Sequence, residues 1–90
     1  MSTVRVPPVL RQQTGGAREI EVDGSTVGEA LRSLVRRHPS LREALFQGDE
    51  LQPFVNVYLN DEDIQYLEKL DTPLSPRDTI LLLPAMAGGS

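Results

Sequence analysis

No cysteine occurs in the 90 residues, so structural disulfides, thiolate metal sites and a cysteine nucleophile are all excluded. Histidine occurs once, at His38, which leaves no second imidazole or thiolate to share a metal and no base-and-orienter pattern that would mark a hydrolase. A self-contained enzyme is not expected. The opening Met1-Ser2-Thr3-Val4-Arg5 lacks the apolar run of a signal peptide, and no stretch approaches the roughly 20 apolar residues of a membrane span. With the absence of thiols, this points to a cytoplasmic location. Positive charge is short as well: 9 Lys+Arg against 13 Asp+Glu give a net charge of -4, which disfavours a broad grip on nucleic acid or an anionic membrane. There is no internal repeat, and the length suffices for one core only. At 39% hydrophobic and 24% charged residues, the composition is that of a globular domain.

The apolar pattern is informative. Thr3-Val4-Arg5-Val6 and Arg18-Glu19-Ile20-Glu21-Val22 both alternate, and the intervening Thr14-Gly15-Gly16 offers glycines for a turn, so a hairpin is predicted. Val27, Ala30, Leu31, Leu34 and Val35 then follow helical spacing with one buried stripe. Thr26 and Glu29 have capping-box spacing, with the Thr oxygen accepting at N3 and Glu29 reaching back to the cap N–H. Pro39 ends the helix at His38. Ser40 and Glu43 repeat the box spacing ahead of a short second helix through Leu41, Ala44 and Leu45, which stops near Gly48. Phe54-Val55-Asn56-Val57-Tyr58-Leu59 alternates, with Val55, Val57 and Leu59 on the core face. A polar turn, Asn60-Asp61-Glu62-Asp63, precedes Ile64. Tyr66 to Asp78 reads as a loop with at most a helical turn, and Thr79-Ile80-Leu81-Leu82-Leu83 as a central strand that Pro84 stops.

The order strand, strand, helix, strand, short strand, strand is that of the β-grasp, or ubiquitin-like, α+β fold. Its mixed sheet of four to five strands is covered by one main helix. The domain is expected over residues 1–84, with a flexible Gly-Gly tail over 85–90. If Val55, Val57, Ile80 and Leu82 face the core, Phe54, Tyr58, Leu81 and Leu83 lie together on the other sheet face, beside the base of the tail. Either they form a partner surface or a loop covers them.

Other candidate chemistry is thin. Asp61, Glu62 and Asp63 lack the alternate spacing and turn glycine of a calcium loop, and read as a solvated turn. Gly15-Gly16 lacks the glycine spacing and the Lys-Ser/Thr of a phosphate loop. His38 sits where a helix C-terminus favours a cation, a capping or half-buried role. Arg32, Arg36, Arg37 and Arg42 lack the interleaved aromatics of a single-strand binder and read as a solvated helix face. No metal site is expected. The tail differs: glycines without Cβ fit a narrow channel as an extended thread, leaving a carboxylate open to attack on the α-phosphate of ATP.

Three segments, in order, carry a resemblance: Val6-Pro7-Pro8-Val9-Leu10-Arg11 with Thr14-Gly15-Gly16, then Phe54 through Asp63, then Leu83-Pro84-Ala85-Met86-Ala87-Gly88-Gly89. They resemble the first hairpin, the third strand with its turn, and the tail of the ThiS/MoaD family of ubiquitin-like sulfur carriers, most of all its cysteine-biosynthesis branch, the CysO-type carriers. The resemblance implies a stoichiometric carrier that binds no cofactor. An adenylating enzyme of the ubiquitin-activating type would use ATP to activate the carboxylate of Gly89, and a sulfur source would replace AMP to give a thiocarboxylate. A synthase, pyridoxal-phosphate dependent in the CysO-type branch, would accept the sulfide, and a zinc peptidase would free cysteine. Molybdopterin, thiamin or another thio-metabolite are the other destinations. The partner surface would comprise Phe54, Tyr58, Leu81, Leu83, Pro84, Ala85, Met86 and Ala87, with Gly88 and Gly89 as the sulfur-carrying end. Ser90 follows Gly89 and blocks that carboxyl, so either a peptidase trims it or it is foreign to the native chain. A ubiquitin-like modifier that forms isopeptide bonds and a noncovalent β-grasp module are the alternatives.

Overall fold

The computed structural model describes residues 1–84. In chain order these form β1 (Ser2–Arg5), a 3-10 helix (Pro8–Thr14), β2 (Glu19–Val22), α1 (Val27–Arg37) and α2 (Leu41–Leu45). A two-stranded excursion, β3 (Phe46–Gln47) and β4 (Glu50–Leu51), follows, then β5 (Val55–Leu59), β6 (Glu62–Asp63), two further 3-10 turns (Ile64–Tyr66 and Lys69–Asp71) and β7 (Thr79–Pro84). The main sheet has the order β2-β1-β7-β5-β6. β7 is parallel to β1 and antiparallel to β5, so the last strand returns to the middle, as the β-grasp arrangement requires.

One face of the sheet is sealed by α1. Val27, Ala30, Leu31, Leu34 and Val35 pack into a core shared with Val4, Ile20, Val57, Ile80 and Leu82. The apolar stripe that gave the helix its period is thus the surface it buries. Gly28 lets the turn at Leu70 approach: a Cβ there would stand 3.0 Å from the Leu70 carbonyl oxygen.

Five local expectations are corrected. The β1–β2 pair is antiparallel, yet its connection is not a tight turn: Pro7-Pro8 start a 3-10 helix, and Gly15 and Gly16 close it with φ of 70° and 91°. Thr26 Oγ1 does accept from Glu29 N–H at 3.1 Å, but Glu29 reaches past the cap to the N–H and hydroxyl of Ser25, both at 3.0 Å. Ser40 makes no cap bond, because its backbone is already helical (φ -62°, ψ -22°) and an N-cap oxygen reaches N3 only from an extended residue. Pro84 does not stop the last strand but closes it, opposite Val55; a proline at a strand end loses no necessary donor. Phe54 lies just before β5 rather than within it.

Candidate functional site

Strand alternation divides the middle of the sheet into two unlike faces. In the β5–β7 register Val57 stands opposite Leu82 and Leu59 opposite Ile80, all buried. The intervening pairs, Tyr58 with Leu81 and Asn56 with Leu83, project to the other side. There Tyr58 and Leu81 are half-buried, whereas Leu83 keeps 40% of its surface and Phe54, at the entrance to β5, another 40%. The outward placement expected for Tyr58, Leu81 and Leu83 is what the register produces. Among the described residues no loop buries Leu83 or Phe54.

The parallel β1–β7 pairing brings a basic flank to this stripe. Arg5 is level with Leu81 and also opposite Glu19, with which it forms an ion pair of 3.9 Å between well-exposed side chains. Such a pair contributes at most about 1 kcal/mol. Beyond β1 the chain turns into the 3-10 helix, whose Arg11 is tethered by its Nε–H donating to the Val6 carbonyl at 3.2 Å. Arg5, Arg11 and Arg18 line one groove with Leu81 and Leu83. This basic flank escaped the sequence reading, which followed runs of charge: the three arginines stand in β1, in the 3-10 helix and just before β2, and they gather beside Leu81 and Leu83 once β1 pairs with β2 and β7 adds its leucines. β7 runs parallel to β1, so its C-terminal end, Leu83-Pro84, emerges at the same end of the sheet as Pro7 and Pro8. Ala85, Met86, Ala87, Gly88, Gly89 and Ser90, on which the tail reading rests, lie outside the described residues, as does the side chain of Pro84.

The remaining candidates have structural roles. Asp63 accepts from Gln65 N–H at 2.9 Å, and Asn60 and Asp61 take the positive φ values, 49° and 76°, of the turn between β5 and β6. Asn60 also bonds Thr79 N–H and Asp78, tying that turn to the start of β7. No group of acidic or imidazole side chains suited to a metal ion occurs among the described residues. His38 is the half-buried C-cap of α1. A larger concavity, about 770 Å³, opens on the helix side, where Arg32 and Lys69 mix with Glu50, Asp63, Glu68 and Asp71. Its described lining contains no histidine, serine or threonine. No described helix is long and apolar enough to cross a membrane.

The β-grasp sheet thus carries an apolar outer stripe beside the end of its last described strand. The ThiS family model matches residues 4–89, from the first strand through both glycines of the tail. The chain belongs to the ThiS family. It is 36% identical to the sulfur carrier protein CysO of Mycobacterium tuberculosis, over 97% of each chain. It is also 36% identical to the small archaeal modifier protein 3 of Haloferax volcanii, over 74% of this chain and 73% of that one. Among solved structures, a chain of the Amycolatopsis orientalis BexX/CysO complex superposes with a TM-score of 0.91 at 38% identity, covering 99% of this chain and all of that one. The fold expected from element order is the fold these ThiS-family relatives have.

Proposed function

We propose that this protein is a CysO-like sulfur carrier, itself a substrate rather than an enzyme, acting in the cytoplasm. The observation that carries the reading is the ThiS-family match that runs through Gly88 and Gly89, together with near full-length similarity to CysO. In this reading the outer stripe of Phe54, Tyr58, Leu81 and Leu83 docks on an adenylating enzyme of the ubiquitin-activating type. Pro84, Ala85, Met86 and Ala87 then lead Gly88-Gly89 into its channel. The partner binds the ATP. The Gly89 carboxylate attacks the α-phosphate, pyrophosphate leaves, and a sulfur nucleophile displaces AMP from the acyl-adenylate to leave a thiocarboxylate. The similarity to CysO supports cysteine biosynthesis as the destination, with a sulfide-accepting synthase, pyridoxal-phosphate dependent by family analogy, downstream. The complex of the Amycolatopsis CysO with BexX supports a role in which the carrier is held by a separate protein.

In this reading Gly89 is activated only in a form that lacks Ser90, trimmed by a peptidase where Ser90 is native, because one further residue displaces the carboxylate by roughly 3.5 Å and removes it from near-attack geometry. ATP–pyrophosphate exchange with the adenylating enzyme tests the reading. The form ending at Gly89 supports exchange and gains sulfur in place of one oxygen, and the 90-residue form is a poor substrate. Gly89→Ala and Gly89→Val slow exchange progressively by introducing a Cβ. Equal exchange by both lengths would remove the trimming step, and none by either would leave a noncovalent module. A ubiquitin-like modifier is the second reading, favoured by the similarity to small archaeal modifier protein 3. High-mass conjugates through Gly89, without oxygen-to-sulfur exchange, would establish it.

A further inference from the structure

The groove beside the apolar stripe is charged against the sign of the whole molecule. The chain carries a net charge of -4, yet Arg5, Arg11 and Arg18 converge here and, among the described residues, Glu19 is the single acidic one lining the groove. Among the described residues Glu19 pairs only with Arg5, at 3.9 Å and in solvent, and Arg11 is positioned by the Val6 carbonyl, which takes no charge from it. Arg18 is exposed and in no ion pair among the described residues. Leu81 and Leu83 line the same groove and belong to the outer stripe, so the arginines and the apolar stripe adjoin.

We propose that Arg5, Arg11 and Arg18 form a cationic rim that selects a partner protein surface in which carboxylates surround an apolar side chain. The apolar side chain fills the space over Leu81 and Leu83, and the carboxylates meet guanidinium groups whose planar donors suit them. A protein with an excess of acidic residues repels an acidic partner except through this face, so the rim also orients the encounter, with the C-terminal end of β7 leading into the complex. The inference rests on the carrier reading for the identity of that partner, the adenylating enzyme. The surface chemistry is tested independently of it.

Two measurements decide the matter. In ATP–pyrophosphate exchange with the adenylating enzyme, using the carrier ending at Gly89, Arg18→Glu raises KM for the carrier about tenfold and leaves kcat within about twofold, because charges at an interface rim act on encounter more than on chemistry. Arg18→Lys retains most of the affinity, and Arg36→Glu, the same charge change on the exposed face of α1, alters KM little. The difference between wild type and Arg18→Glu shrinks as salt rises from about 50 mM to about 500 mM. An unchanged KM in Arg18→Glu, or an equal rise in Arg36→Glu, overturns the rim. The second measurement titrates the isotope-labelled full chain with an acetylated Glu-Glu-Leu-Glu-Glu peptide and follows amide shifts. Shifts confined to residues 5–11, 18–19 and 81–83 support the rim, whereas shifts centred on Arg32, Arg36 and Arg42 overturn it. If wild type gives no exchange, the carrier reading falls while the peptide result still judges the rim. Displacement of the peptide from those residues by a single-stranded oligonucleotide of equal charge overturns a protein-specific surface.

Discussion

Tyr58 and Leu81 face each other across the β5–β7 pairing on the side of the sheet away from α1, while their neighbours Val57 and Leu82 form a pair sealed in the core. One residue of chain separates the outer face of the sheet from the interior, since successive side chains of a strand point to opposite faces. The same substitution at adjacent positions therefore has opposite consequences.

Val57→Asp places an unpaired carboxylate in a site that is 1% exposed and is expected to cost more than about 4 kcal/mol, unfolding the domain. Leu81→Asp and Tyr58→Asp leave the fold intact but weaken binding to the adenylating enzyme by at least about tenfold. Circular dichroism and a binding titration on the three variants check both halves. Undiminished binding by Leu81→Asp would take the outer stripe out of the interface.

The described core ends at Leu82, and the last register pair is Val55 with Pro84. A chain cut after Pro84 should unfold within about 2 °C of the full-length protein, since no described core residue is removed. A larger drop in Tm by calorimetry would mean that residues 85–90 contribute to folding.

Gly24 has φ of 153°, and a Cβ there would stand 2.6 Å from the backbone nitrogen of Ala30, in the first turn of α1. That atom is held by the helix and cannot withdraw as a flexible side chain would. Gly24→Ala should therefore cost about 3 kcal/mol. Gly15→Ala meets nothing within 4 Å and bears only the left-handed backbone penalty at φ 70°, about 1 kcal/mol. Denaturant unfolding of the pair separates steric collision from backbone preference.

The start of α1 should respond to acid. The N–H of Ser25, then its hydroxyl, and to a lesser extent the charge of Arg32 hold the Glu29 carboxyl below its ordinary value of 4.5. A folded value below the unfolded one means that the contribution is fully present above the ordinary carboxylate range and is lost as pH falls through the folded value. The stability gap between wild type and Glu29→Gln should thus be open at pH 7 and close only as pH falls below the ordinary carboxylate range. Thr26→Ala, by contrast, removes an uncharged acceptor and should cost about 1 kcal/mol across that range. Urea titrations at several pH values distinguish the two, and a gap for Glu29→Gln that persists in acid would assign it to packing.

By itself the sequence determined the two periodicities and hence the elements. Val27 to Val35 at helical spacing and Val55, Val57 and Leu59 at strand spacing are patterns of burial, and burial is what their side chains do in the fold. The inward Leu82 and outward Leu81 followed from the same alternation, and the Gly88-Gly89 tail with its flanking segments was enough to suggest the ThiS/MoaD family. What depends on one segment meeting another was not legible. The 3-10 helix at Pro8–Thr14 has no long period to reveal it, and the bond from Glu29 to Ser25 instead of the cap depends on where the segment before α1 places the Ser25 N–H and hydroxyl. The β3–β4 excursion is too short to alternate. Only the tertiary structure brought Arg5, Arg11 and Arg18 to one groove over Leu81 and Leu83, because strand pairing fixes which distant residues are neighbours, and no local propensity encodes that register.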